Sequence, residues 1–131
     1  MQRNIVNPWS WQDKHGFVQA NEIGEANRVI FISGQTSVDD HGNIMHIGDM
    51  RNQLEQALNN LEKVLAHADM DLTNIVHLNI YTTDIRALMQ EEDYFKKRFV
   101  KSGCRHAGTL IGVTALAFTG LMVAIEATAA A

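Results

Sequence analysis

Hydrophobic and polar positions along the chain fall into a few clear periods. Arg28-Val-Ile-Phe-Ile-Ser-Gly34 is apolar on both parities through Ile32, which predicts a strand buried on both faces. A turn over Val38 to Asn43 and a short run from Ile44 to Ile47 predict a strand returning beside it as a hairpin. From Asp49 to about Asp69, Met50, Leu54, Ala57, Leu58, Leu61, Val64, Leu65 and Ala68 recur at helical spacing, with Asp49 as N-cap. This predicts a long amphipathic helix whose stripe is core. In Ile75 to Thr82, Val76, Leu78 and Ile80 alternate with His77, Asn79 and Tyr81, so one parity meets the helix and the other forms a polar, aromatic face. That second face is either solvated or an oligomer interface.

Thr83-Asp84 caps a second helix predicted to run to about Val100, with Leu88, Tyr94, Phe95 and Phe99 as anchors. Glu91, Glu92 and Asp93 come first and Lys96, Lys97, Arg98 and Lys101 last, complementing the helix dipole. Thr109 to Leu116 and Leu121 to Ala129 read as a C-terminal hairpin around Gly120. On its last strand Leu121, Val123, Ile125 and Ala127 share one face, and Met122, Ala124, Glu126 and Thr128 the other. Glu126 faces water, pairs, or lines a site. The first 27 residues are mixed, with Phe17 to Ala20 as a short strand and Trp9 and Trp11 either packing the segment onto the domain, the better-supported reading, or standing at a ligand rim. The resulting order β, β, β, α, β, α, β, β predicts an α+β fold, with two helices on one side of a single sheet.

Composition narrows the function. The 131 residues suit one domain, 1–131. A net charge of −4, from 11 Lys+Arg against 15 Asp+Glu, offers no field to gather nucleic acid or an anionic membrane. One cysteine, Cys104, allows no internal disulfide, and the start Met1 to Pro8 lacks an apolar signal core; with no membrane-length apolar run, the expectation is a cytoplasmic protein. The six histidines show no metal-ligand spacing, and no phosphate-cradling glycine loop, dinucleotide turn or nucleophile elbow is present, so neither metal nor cofactor is expected. Cys104, beside Arg105 and His106, reads as an ordinary thiol.

Taken together, Phe17-Val-Gln-Ala20, Ile32-Ser-Gly-Gln35, the helix that follows, Ile80-Tyr-Thr-Thr-Asp84, Gly112-Val-x-x-Leu116 and Ile125-Glu-Ala127 resemble the RidA/YjgF/L-PSP family, in order along nearly the whole chain. The resemblance implies a chorismate-mutase-like α+β subunit that forms a homotrimer around a central β-barrel, helices outside, with small-molecule pockets between subunits. It also implies hydrolysis of 2-imino or enamine acids to 2-keto acids and ammonia. In that scheme an Arg at the start of the first C-terminal strand grips the substrate carboxylate, and a Glu on the last strand orients water. Glu126 matches that catalytic Glu, and Ser33 and Gly34 match the strand end that supplies polar contacts.

Other pocket positions depart from the family pattern. Its Arg falls on Gly108, with Arg105 three residues earlier; its Tyr falls on Phe17, and an Asn of the second helix on Glu92. These changes remove a cation and a hydroxyl and add a negative charge. Either Arg105 swings into the pocket and the deaminase persists, or the pocket takes a different, neutral or cationic molecule. A non-catalytic binding or interaction trimer is the third reading.

Overall fold

The computed structural model describes residues 1–131. Strands β1 (Gln2–Val6) and β2 (Ala20–Gly24) form an antiparallel two-stranded sheet; β3 (Val29–Gln35), β4 (Ile75–Thr82), β5 (Leu110–Gly112) and β6 (Val123–Ala130) form a second sheet in the order β3-β6-β4-β5. The helices are α1 (Met50–His67), a five-residue α2 (Ile85–Met89) and α3 (Glu92–Ser102), with 3₁₀ turns at Trp11–His15 and Leu72–Asn74.

Most of the α1 stripe is core as the spacing predicts: Leu54, Ala57, Leu58, Leu61 and Leu65 are fully buried, while Val64 is exposed and Ala68 lies past the helix end. The Asp49 side chain accepts from the Asn52 backbone N–H and starts the helix. Leu78 and Ile80 of β4 and Val123, Ile125, Ala127 and Ala129 of β6 meet this stripe, together with Phe95 and Phe99 of α3, in one hydrophobic cluster. Truncating one of these buried leucines to Ala costs about 2–5 kcal/mol. Gln53 is a fully buried polar side chain on the same helix. Its Nε2 donates to the Gly120 carbonyl at 2.8 Å and its Oε1 accepts from the Met122 N–H at 2.8 Å, which pins the loop entering β6.

Several expectations are corrected. The sheet is open and mixed, with β3 and β5 at its edges, and the fold contains no closed β-barrel. The C-terminal hairpin does not form, because β4 lies between β5 and β6, pairing parallel with β5 and antiparallel with β6. There are two sheets rather than one, since β1, which has no continuous apolar run to announce it, pairs with β2. The strand placed at Phe17 to Ala20 begins only at Ala20, because Gly16 closes the preceding 3₁₀ turn at φ 80 and leaves Phe17 in a loop. Strand β3 is buried on one face alone: Phe31 is 84% exposed on the other. The returning strand at Ile44 to Ile47 reduces to one bridge between Val38 and Ile44. The second helix is broken at Gln90–Glu91 into α2 and α3, although Asp84 caps α2 as expected, accepting from the Ala87 N–H. Trp9 and Trp11 are both more than half exposed rather than packed inward.

No helix is long and apolar enough to cross a membrane.

Candidate functional site

A cavity of about 350 Å³ opens between α3, the edge of the sheet and the loop before β2. Its apolar wall is built by Leu78 and Ile80 of β4, Phe95 and Phe99 of α3 and Leu110 of β5, closed by Phe17. The loop is brought there by local geometry. Gly16, in the left-handed region, turns the chain at the end of the 3₁₀ turn and lies against the Lys96 and Val100 side chains of α3. Two residues on, the Val18 N–H donates to the His106 carbonyl at 3.0 Å and fixes the loop to the opposite wall.

The polar part of the lining is small. His15 Nδ1 lies 2.6 Å from Glu92 Oε1, and the imidazole stacks on Phe17 with ring centroids 6.4 Å apart. Trp11 meets Phe17 edge-on at 5.8 Å from outside. Across the cavity, His106 is tilted against Phe99 at 4.7 Å, and burial, aided by the charges of His77 and Arg3, pushes its pKa down to about 4. Cys104, 3.7 Å from His106 Nδ1, is itself buried, and burial pushes its thiol up to about 12, so it has none of the thiolate character of a nucleophile.

Gly108 forms the floor by close approach of two backbones. A Cβ placed on it would sit 1.6 Å from the Leu78 carbonyl oxygen. The parallel ladder holds it there: the Leu78 N–H donates to the Ala107 carbonyl at 2.9 Å and the Ile80 N–H to the Thr109 carbonyl at 3.0 Å.

Glu126 lies on the far face of the sheet, in a separate groove of about 200 Å³ lined with Phe31, Ile32, His77, Asn79, Ala127 and Thr128. Tyr81 donates its hydroxyl to Glu126 Oε1, and Asn79 Nδ2 donates to the same oxygen at 3.2 Å. These two hydrogen bonds, Tyr81's first, hold the carboxyl below its ordinary range, and the same contact raises Tyr81. Asn79 also links the two sites, because its Oδ1 accepts from the N–H of Thr109, a cavity residue, at 2.9 Å.

Of the residues singled out in the sequence, Phe17, Glu92 and Gly108 are thus brought together, with Glu126 in the neighbouring groove. Ser33 and Gly34 sit at the register shift of β3, exposed, and line neither space. Gly34 has no steric need to be glycine, since a Cβ there would meet nothing closer than Ala124 Cβ at 3.7 Å. The Arg105 side chain is exposed and lines neither space, while its carbonyl accepts from Arg3 at 2.6 Å and Asn21 at 2.9 Å. Sequence reasoning missed His15 and His106. His15 stands two residues before Phe17, but histidines weighed for metal spacing alone give no reason to select it. No three His, Cys, Asp or Glu side chains converge as a metal site.

Comparison with known proteins places the chain. The family described as Endoribonuclease L-PSP matches residues 12–131. The chain is 30% identical over 113 residues to Protein DfrA of Myxococcus xanthus, covering 86% of this chain and 83% of that protein. It is 32% identical over 76 residues to the 2-iminobutanoate/2-iminopropanoate deaminase of Bos taurus, covering 58% of this chain and 56% of the bovine protein. Among solved structures, the Rid-family protein YyfB of Yersinia pestis, described as of unknown function, superposes with a TM-score of 0.88 at 30% identity over the full length of both chains. The chain belongs to the Endoribonuclease L-PSP family, the RidA/YjgF or Rid proteins.

Proposed function

We propose that the cavity walled by Phe17, Glu92 and Gly108 binds a small molecule that carries no carboxylate. One observation carries this reading: no Lys or Arg side chain lines the cavity, while the carboxylate of Glu92 does. A 2-imino acid entering it would lose the charge-assisted fork that a cation supplies, about 1.5–3 kcal/mol, and would face a like charge. The volume and the mostly apolar wall suit a compact ligand with a nonpolar body. Activity on 2-imino acids belongs by name to the bovine relative, and the exposed Arg105 gives no support for carrying it over.

The test is ammonia and 2-keto acid release from imines generated in situ by a dehydratase from serine or threonine. The expected result is no release above the uncatalysed rate. A protein-dependent acceleration lost in Arg105→Ala would overturn the reading and restore an acid deaminase in which Arg105 reaches the substrate. The same reading includes a homotrimer that covers the sheet face bearing Phe31, His77 and Tyr81; a monomer mass by light scattering at micromolar concentration would remove that part.

A further inference from the structure

Within the cavity, the arrangement of His15 and Glu92 specifies more than the absence of an acid. Glu92 is the first residue of α3, and its only protein partner is His15, through Oε1. No lysine or arginine nitrogen comes within ion-pair distance of it, and Oε2 accepts no hydrogen bond. The nearby cations are engaged elsewhere: Lys96 lies 3.7 Å from Asp93, and Arg51 donates to Glu91 at 3.0 Å. When His15 donates its Nδ1 proton to Glu92, its Nε2 is left as an acceptor. His106, across the cavity, is kept neutral by burial.

With His15 in that tautomer, the polar end of the cavity offers two unused acceptor positions, one of them on a carboxylate, and no lysine or arginine side chain lines it. Phe17, Phe95 and Phe99 line the same cavity, and aromatic ring faces attract positive charge. An apolar chamber with a single anionic, acceptor-rich end is complementary to a molecule with an apolar body and a donor-rich cationic head.

We infer that the ligand of this cavity is a small primary amine with a nonpolar alkyl or aryl body, its ammonium held by Glu92 and His15. The inference rests on the cavity reading above and adds the charge and the head group. Glu92 supplies the charge, and His15 orients that carboxylate while offering Nε2 to a second ammonium proton. Phe17, stacked on His15, holds the imidazole in place.

The experiment uses the full chain in low-salt buffer near pH 8. Three probes of similar shape are titrated by calorimetry and by amide chemical-shift mapping: phenethylamine, 2-phenylethanol and 3-phenylpropanoate. Phenethylamine is expected to bind at least tenfold more tightly than the alcohol, with the carboxylate weakest, and to shift amides around Phe17, Glu92 and Thr109. In Glu92→Gln, which keeps the side chain's size, the preference for amine over alcohol should disappear. Alcohol binding in the cavity as strongly as the amine, or carboxylate binding more strongly, would overturn the amine inference and leave the cavity reading standing. If none of the three probes shifts cavity amides, the cavity reading fails and the amine inference with it.

Discussion

Replacing Gly108 with alanine tests the packing that shapes the cavity floor. The added methyl would begin 1.6 Å from the Leu78 carbonyl oxygen, 2.7 Å from its carbon and 3.2 Å from its nitrogen. All three atoms are backbone, so no side-chain rotation relieves the clash. The segment before β5 must move off β4 by more than an ångström, and the bonds from Leu78 N–H to Ala107 and from Ile80 N–H to Thr109 resist this. Overpacking strain of about 1–3 kcal/mol and one or two lost hydrogen bonds at about 0.5–1.5 kcal/mol each oppose a gain of about 0.4–1 kcal/mol from the stiffer unfolded chain. Taken near the middle of each range, the net is a loss of about 2–4 kcal/mol. At about 2.1 cal/mol/K per residue, the 131-residue chain loses about 3–4 °C of Tm per kcal/mol, so Gly108→Ala should lower Tm by roughly 7–15 °C. Gly34→Ala is the matched control, expected to stay within about 3 °C because its new methyl meets only Ala124 at 3.7 Å. Calorimetry of both variants decides the matter. A Gly108→Ala protein melting within 2 °C of the parent, at a heating rate where unfolding is reversible, would refute the close-approach argument. The same clash means that Gly108→Arg is no simple restoration of a family arginine, since the side chain could enter only after the ladder had opened.

Two further predictions follow from groups beside the site. His106 has its pKa lowered to about 4 in the folded state from an ordinary 6.5, so the unfolded chain binds the extra proton first. Its contribution is present above about pH 6.5 and is lost as pH falls toward 4, up to about 3 kcal/mol. Denaturation midpoints should fall across that window and flatten in His106→Met; an equal slope in both proteins would refute the assignment. Arg3 donates to the carbonyls of Thr73, Ile75 and Arg105 at 3.0, 2.8 and 2.6 Å, clamping the small sheet to the large one. Arg3→Ala should speed hydrogen exchange of β1 and β2 amides by about tenfold or more, and unchanged protection there would show that the clamp contributes nothing.

How far the sequence reveals this molecule depends on whether the information is local. The α1 stripe, its Asp49 cap and the alternation of β4 are local signals, and they stand except at Val64, which is exposed, and at Val76, which gives its core place to Ile75 where the register of β4 shifts. Strand partnership is not local. Thr109 to Leu116 and Leu121 to Ala129 have hairpin-like composition, yet nothing in either run states that β4 will insert between them. The break at Gln90–Glu91 is equally silent, because both residues are acceptable inside a helix. Phe17, Glu92 and Gly108 were legible as a group through family resemblance. His15 was not, since its meaning comes from a fold of the loop at Gly16 that places it against Glu92.

The strand order also governs when the large sheet can assemble. Of its two interior strands, β6 follows β3, β4 and β5 in the chain, and β3 and β4 share no strand partner except β6. Pairing Val29 with Ala130 closes a loop of roughly a hundred residues. Helix α1 can form early from local contacts, but β3 remains without a ladder until β6 arrives. Refolding should therefore show helical signal ahead of sheet formation, and the slow step should respond to substitutions in Val123–Ala130 more than to those in α1. The strand that joins the sheet is thus also the one that sets its pace.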